Sequence, residues 1–250
     1  MDSKSTAVLE IVDLHKHFQG IVVLQGVSLS VRRGRITALI GSNGAGKSTL
    51  LNLVSGGLQV DRGVIYLNGQ EISALPAFAR ARLGLARTFQ HPRVFPSLTV
   101  LESVRFAATA PREEGLLRNL VSARANTEER LYESLRLCGL EHKSGVAAGD
   151  LSYGEQKLLM LAQVLANDAE FLCFDEICAG LEPDVVGLVK EMFVKLATLG
   201  KSILFVEHNL ELVREIADWV VFLHSGEVFI EGHTTAVLEN PEVVRLYLGQ

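Results

Sequence analysis

The sequence predicts an α/β protein whose centre is a largely parallel sheet with helices on both faces. Two observations carry that prediction. Short β-like runs in the first and last thirds are bounded by helix-period stretches, the alternation that produces crossover-connected parallel strands. In addition, GSNGAGKSTL at residues 41–50 sets a glycine-rich loop between an apolar strand-like run, RITALI, and a helix-like run, LNLVSGG.

Taken in order, VLEIVDL, IVVLQGVSLSV, RITALI and VIYLNG read as strands separated by Gly and Asp-Arg-Gly turn signals. Residues 47–55 form a helix entered from the glycine loop. From about Leu98 to Leu165 the pattern turns helical, through LTVLESVRFAA, TEERLYESLRLCGL and GEQKLLMLAQVLA. Between the first two lies PREEGLLRNLVSARAN, where Pro and Gly predict a turn or irregular link. The last third returns to alternation: FLCFD, a helix over about Asp184 to Leu199, SILFVE, another helix, WVVFLH and EVFIE. The helical middle is therefore an insertion into an α/β core. This gives one domain over 1–250, with the core at 1–90 and 166–250 and the helical part at 91–165. No internal repeat or low-complexity segment is visible.

A chain of 250 residues buries a full core as one large domain or two closely packed lobes. Its 48% hydrophobic and 21% charged content is ordinary for a globular protein. A mean hydropathy of +0.25 is slightly greasy, from either a large core or a surface that docks on something apolar. The net charge of −5 supplies no global field for nucleic acid. The cluster Arg32, Arg33 and Arg35 is broken by glycine and reads as a solvated turn. No apolar run approaches the ~18 residues that cross a bilayer. MDSKSTAVLEIVD has acidic residues where a signal peptide needs a basic start. Cys138, Cys173 and Cys178 are odd in number and lack metal-ligand spacing, as expected of reduced thiols in a cytosolic protein. If a membrane matters, another chain crosses it.

Chemistry begins at GSNGAGKS, which fits G-x-x-x-x-G-K-[ST] through Gly41, Gly46, Lys47 and Ser48. The glycines let backbone N–H groups wrap phosphates, and the following helix adds its positive end. Lys47 can neutralise the β and γ phosphates, and the Ser48 hydroxyl suits Mg²⁺. A plain glycine turn would not need the strand before it and the helix after it. FLCFDE, residues 171–176, delivers Asp175 and Glu176 from an apolar strand to the carboxyl edge of a parallel sheet. Paired acids often merely close a strand. Beside a phosphate loop, one can hold a metal shell and the other can orient or deprotonate an attacking water.

LSYGEQ, residues 151–156, decides among phosphate-loop proteins, because here the chain resembles the ATP-binding cassette family over nearly its whole length. The family signature L-S-G-G-Q is kept at Leu151, Ser152 and Gly154 and departs at Tyr153 and Glu155. ARTFQ ends in Gln90, matching the family's Q-loop glutamine. AGLEP resembles the D-loop, and ILFVEH places His208 at the switch histidine. Phe18, in HKHFQG, sits where the family stacks an aromatic ring on adenine. Ile177 stands in place of the usual proline after the catalytic glutamate, and Glu182 in place of the D-loop aspartate.

The resemblance implies a phosphate-loop NTPase core with an antiparallel β subdomain and an inserted α-helical subdomain. It implies ATP held by Phe18 and by Gly41, Ser42, Asn43, Gly44, Ala45, Gly46, Lys47, Ser48 and Thr49. Mg²⁺ would be held by Ser48, Gln90 and Asp175, and Glu176, His208 and Gln90 would serve catalysis. Leu151, Ser152, Tyr153, Gly154 and Glu155 would contact the ATP of a second cassette, in a head-to-tail homodimer or heterodimer. His15, His17 and His91 match no motif of the family.

One cassette without a heptad run or fused membrane helices points to a separate transport subunit. GLARTFQHPRVFPSLTVLESV, SYGEQ, AGLEP, VEHNLELV and the ending NPEVVRLYLG resemble the ATP subunits of branched-chain amino-acid importers, with amide and urea importers close by. Such a subunit works on the cytoplasmic face of the membrane with permease subunits, and indirectly with a periplasmic binding protein. Residues 91–104, with Val94 and Phe95, would form part of the groove that receives the permease. A non-transport cassette acting on a ribosome or DNA is the alternative from another class. A phosphate-loop GTPase would need an N-K-x-D motif, which the sequence lacks.

Overall fold

The structure is a computed structural model that describes residues 7–108 and 122–248. Its strands are β1 (Ala7–Phe18), β2 (Ile21–Arg32), β3 (Ile36–Gly41), β4 (Arg62–Leu67), β5 (Gln70–Glu71), β6 (Leu85–Arg87), β7 (Phe171–Asp175), β8 (Ser202–Val206), β9 (Trp219–His224) and β10 (Glu227–His233). The helices are α1 (Lys47–Val54), α2 (Ala77–Arg82), α3 (Val100–Ala108), α4 (Ser122–Leu137), α5 (Tyr153–Ala166), α6 (Pro183–Thr198), α7 (Leu210–Ile216), α8 (Thr234–Leu238) and α9 (Pro241–Leu248). The chain packs as two units.

The first unit takes in residues 1–87, 170–176 and 193–250. Its larger sheet has the order β10-β9-β3-β8-β7-β6, parallel throughout except for the antiparallel edge strand β10. Every residue of β3, β7 and β8 is buried, which is why ITALIG, FLCFD and SILFV are continuous apolar runs and do not alternate. β10 alternates between exposed and half-buried residues, as an edge strand should. Leu39 and Asp175 both pair with Val206, so β3, β7 and β8 end nearly level. That shared carboxyl edge brings together the glycine loop, the two acids and the residues after Val206. A second, antiparallel sheet has the order β2-β1-β4-β5. Between the sheets α1 buries Leu50, Leu51, Leu53 and Val54 in a core lined by both. Each such leucine contributes about 1.5–3 kcal/mol by leaving water. A second cluster stacks Phe193 on Phe174 at 4.6 Å and sets Phe205 edge-on to Phe193.

The second unit takes in residues 88–169 and 177–192. It is helical: α3, α4 and α5 bury Val100, Val104, Leu131, Leu135, Leu159 and Leu161. Of the irregular link expected over 111–126, residues 111–121 lie outside the described residues, while 122–126 are already helical in α4. SARAN, with its two alanines and an arginine, favours that conformation. The α/β class with a mostly parallel sheet, an antiparallel sheet and a block of helices is therefore as the sequence implied. Five elements escaped the sequence reading: β5, β6, α2, α8 and α9, of two, three, six, five and eight residues. All are too short to show a period over several turns. None of the three cysteines forms a disulfide; Cys138 and Cys173 are buried and Cys178 is half-buried.

Candidate nucleotide-hydrolysis site

The loop after β3 needs glycine for reasons of packing as well as ligand access. A Cβ on Gly41, at φ +154°, would lie 2.1 Å from the Leu223 carbonyl oxygen of the neighbouring strand. One on Gly46, which caps α1 at φ +102°, would lie 2.5 Å from Leu24. Asn43 and Gly44 form the exposed crown, with Ser42 half-buried and Ala45 buried at its flanks. Lys47 is 6% exposed, and its ammonium folds back to donate to the carbonyls of Gly41 (2.7 Å) and Ser42 (3.0 Å). Burial lowers its pKa, against the opposing pull of Glu176 and Asp175. Ser48 is exposed and Thr49 half-buried at the start of α1.

At the level ends of β7 and β8 stand the acids and the histidine. Glu176 is half-buried and holds a left-handed backbone, φ +47°, that few non-glycine residues adopt. Its N–H donates to the Val206 carbonyl (3.0 Å), pinning the turn to β8. Its Oε1 lies 3.0 Å from His208 Nε2. Asp175 is buried; burial raises its pKa and the Arg87 guanidinium pulls it back down. Arg87 donates to Asp175 Oδ2 at 2.9 Å, which leaves Oδ1 outside that ion pair. Neither Arg87 nor Tyr247 was singled out from the sequence. The Tyr247 hydroxyl donates to the His208 carbonyl at 2.8 Å, tying α9 to the segment after β8.

Phe18 is 40% exposed beside a two-residue hairpin turn in which Gln19 and Gly20 both have positive φ. It is a surface ring, not a core aromatic. The Lys16 ammonium lies 5.2 Å from its centroid and is itself held by Asp61 (2.7 Å) and the Gln59 carbonyl (2.9 Å).

Gln90 and the signature residues belong to the second unit. Gln90 is exposed. Leu151 is buried, and Ser152 caps α5 in a reciprocal box with Glu155. Ser152 Oγ accepts from Glu155 N (3.3 Å), and Glu155 Oε2 accepts from Ser152 N (2.9 Å). The other Glu155 oxygen pairs with Lys143. Tyr153 is 47% exposed, with the Lys157 ammonium 5.3 Å from its ring centroid. Lys157, 1% exposed, donates to the carbonyls of Ile177 (3.1 Å) and Ala179 (2.5 Å). The signature helix and the segment after the second acid are thus fastened by one buried cation. Gly154 is half-buried and Glu182 exposed. In the Q-loop flank Val94 is half-buried, while Phe95 is 51% exposed and meets Phe106 edge-on at 5.3 Å.

Among the described residues no group of three or more His, Cys, Asp or Glu side chains could hold a metal ion. A hydroxyl at Ser48 and a carboxylate at Asp175 nevertheless suit a hard divalent cation such as Mg²⁺, which completes its shell from phosphate oxygens and water. The loop, its exposed crown and Lys47 suit a polyphosphate.

Residues 24–179 match the ABC transporter family. The chain belongs to that family. The LivG protein of Archaeoglobus fulgidus is 36% identical over 97% of this chain and 95% of its own length. The Escherichia coli K12 high-affinity branched-chain amino acid transport ATP-binding protein LivG is 33% identical, over 98% of this chain and 99% of its own. Among solved structures, an ATP-binding cassette of an ABC transporter in its ADP conformation superposes with a TM-score of 0.86. It is 30% identical and covers 98% of this chain and 100% of that one. A nucleotide-free cassette gives 0.84 at 30% identity, with the same coverage. As an ABC cassette, the chain is an ATPase and binds ATP.

Proposed function

We propose that this cassette is the ATP-hydrolysing subunit of an importer for branched-chain or related amino acids. The observation that carries the reading is likeness over nearly the whole length to proteins named as branched-chain amino acid transport ATP-binding proteins. The level ends of β3, β7 and β8 support the chemistry.

In this reading residues 41–49 wrap the phosphates, Lys47 turns from its own loop carbonyls to the β and γ phosphates, and Phe18 stacks on adenine. Ser48, Asp175 and Gln90 hold Mg²⁺, which supplies electrostatic stabilisation of the phosphate oxygens when bound. Glu176 takes the proton of the attacking water. His208, through Nε2, holds the Glu176 carboxylate in place and contacts the γ-phosphate. Two cassettes meet head to tail, with residues 151–155 of one facing the loop of the other. Glu155 occupies the Ser152 N–H, so the signature contact falls to the Ser152 hydroxyl and the start of α5. Phe95 and Phe106 offer an apolar surface to a permease. Among the described residues no helix is long and apolar enough to cross a membrane, in keeping with a peripheral subunit on the cytoplasmic face.

The Glu176→Gln variant tests the mechanism. It should keep ATP affinity, lose about 100-fold or more in turnover and accumulate an ATP-bound dimer. Hydrolysis near that of the parent would remove Glu176 from the role of base. Leucine uptake by vesicles carrying the cassette with its permease tests the substrate class; ATP-driven uptake of an amide or urea in place of leucine would overturn it.

A further inference from the structure

Arg87 has no part in the roles assigned above, yet its side chain is 7% exposed and both terminal nitrogens of its guanidinium are hydrogen-bonded. It ends β6, where it pairs in register with Cys173 of β7. One terminal nitrogen donates to Asp175 Oδ2 at 2.9 Å. The other donates to Asn52 Oδ1 and Ser55 Oγ, both at 2.8 Å. Asn52 lies in α1 and Ser55 caps its end. A single guanidinium therefore joins the strand that carries Asp175 to the helix that begins at Lys47 and Ser48. Its planar fork fixes the two groups relative to each other, which a flexible ammonium would not. Because Arg87 engages Oδ2, the carboxylate cannot swing freely, and Oδ1 is the oxygen held clear of the ion pair.

We propose that Arg87 is a positioning residue for the metal side of the site. It sets the orientation of Asp175 and its register with Ser48, so that the two can share one divalent cation. The inference rests on the reading of Ser48 and Asp175 as Mg²⁺ ligands. A merely structural ion pair would affect ATP binding with and without metal alike. A positioning residue should act on the metal-dependent part.

The measurement is ATP affinity in Mg²⁺ and in EDTA, the ratio giving the gain due to metal, with Mn²⁺ binding to the ATP complex read by electron paramagnetic resonance. Arg87→Met should lower the gain about tenfold to hundredfold, the usual effect of removing a group that orients a metal ligand. Metal-free affinity should stay within about threefold, since contacting groups couple far more strongly than distant ones. Arg87→Lys, which keeps the charge and is the milder change for folding, should also lose gain, because one ammonium cannot span Asp175 and α1 as the fork does. In an Asp175→Asn background, Arg87→Met should lower the gain no further. Equal losses with and without metal, or a full gain in Arg87→Lys, would overturn the proposal. An undiminished gain in Asp175→Asn alone would instead show that Asp175 is not a metal ligand, and so separates failure of the underlying reading from failure of the inference.

Discussion

Arg80 offers the sharpest test of how the phosphate-loop helix is held. It is 1% exposed, and its guanidinium donates to four backbone carbonyls. Two of these, Leu53 (2.5 Å) and Val54 (2.8 Å), are carbonyls at the C-terminal end of α1, which have no partner within the helix. The others are Leu75 (2.8 Å) and Ser73 (2.9 Å). Among the described residues no carboxylate pairs with it, so its charge is met by the negative end of the helix and by carbonyl dipoles. Burial lowers its pKa, as expected for a cation removed from water without a counter-ion. Arg80→Met keeps most of the stem but removes all four bonds, leaving, among the described residues, only the Leu53 carbonyl with another donor, the Gly56 N–H at 3.3 Å. At about 1 kcal/mol for each lost bond the gross cost is roughly 4 kcal/mol. Relief from burying a charge offsets part of that, so the net loss should be about 3 kcal/mol. For a protein of this size such a loss lowers Tm by about 6–12 °C. Scanning calorimetry, with urea unfolding as a second probe, would measure it. Arg80→Lys should fall between, having the charge but not the geometry. ATP affinity well below the transition should be unchanged, since Arg80 meets α1 at the end away from Lys47 and Ser48. Stability of Arg80→Met within 1 kcal/mol of the parent would refute the idea that this side chain caps the helix.

Three other outcomes are expected. Tyr247→Phe deletes only the hydroxyl that bonds the His208 carbonyl and should slow turnover about three- to tenfold with ATP affinity unchanged; steady-state hydrolysis at parent rate would show that α9 does not steady the switch. Phe95→Asp places a charge on the Phe95–Phe106 pair and should leave ATP binding intact while weakening assembly with the permease, measured by co-purification. Glu155 has its pKa lowered first by Lys143 and then by the Ser152 N–H. A depressed folded-state pKa adds stability above the unfolded value, about 4.3, and that stability is lost as pH falls through the folded value. The stability gap between the parent and Glu155→Gln should therefore be present at pH 7 and close on acidification, and a gap that persists or widens in acid would contradict the pairing.

What was legible in the sequence was whatever depends on neighbours along the chain. An apolar run, a glycine loop and a helix start within about twenty residues define one end of β3 and the beginning of α1. FLCFDE and ILFVEH each end a buried strand with the groups that matter. Parallel pairing then places those ends on one edge, and the order of the motifs was enough to name the family. The strand β6 was invisible because three residues cannot establish a period, although its last residue, Arg87, lies inside the quoted stretch ARTFQ.

The side chains that went unread are those whose partners are distant: Arg87 and Asp175 are 88 residues apart, Tyr247 and His208 39, and Arg80 and Leu53 27. Residue type alone did not separate buried Arg80 from exposed Arg82, which rests over the ring of Phe78. The signature departures show the opposite case, where the physical reason is local but was masked by comparison with a family pattern. Glu155 is out of place against L-S-G-G-Q, yet S-x-x-E is the pattern of a reciprocal helix cap, and that is the bonding it forms. Its charge is balanced by Lys143, twelve residues earlier, so the glutamate can serve the cap without leaving an unpaired anion where a phosphate is expected to approach. Tyr153, similarly, presents a ring to Lys157, whose ammonium anchors the segment after Glu176. Each departure is thus engaged locally at the start of α5: glutamine at 155 could keep the cap but would lose the ion pair with Lys143, and glycine at 153 would remove the ring beside Lys157.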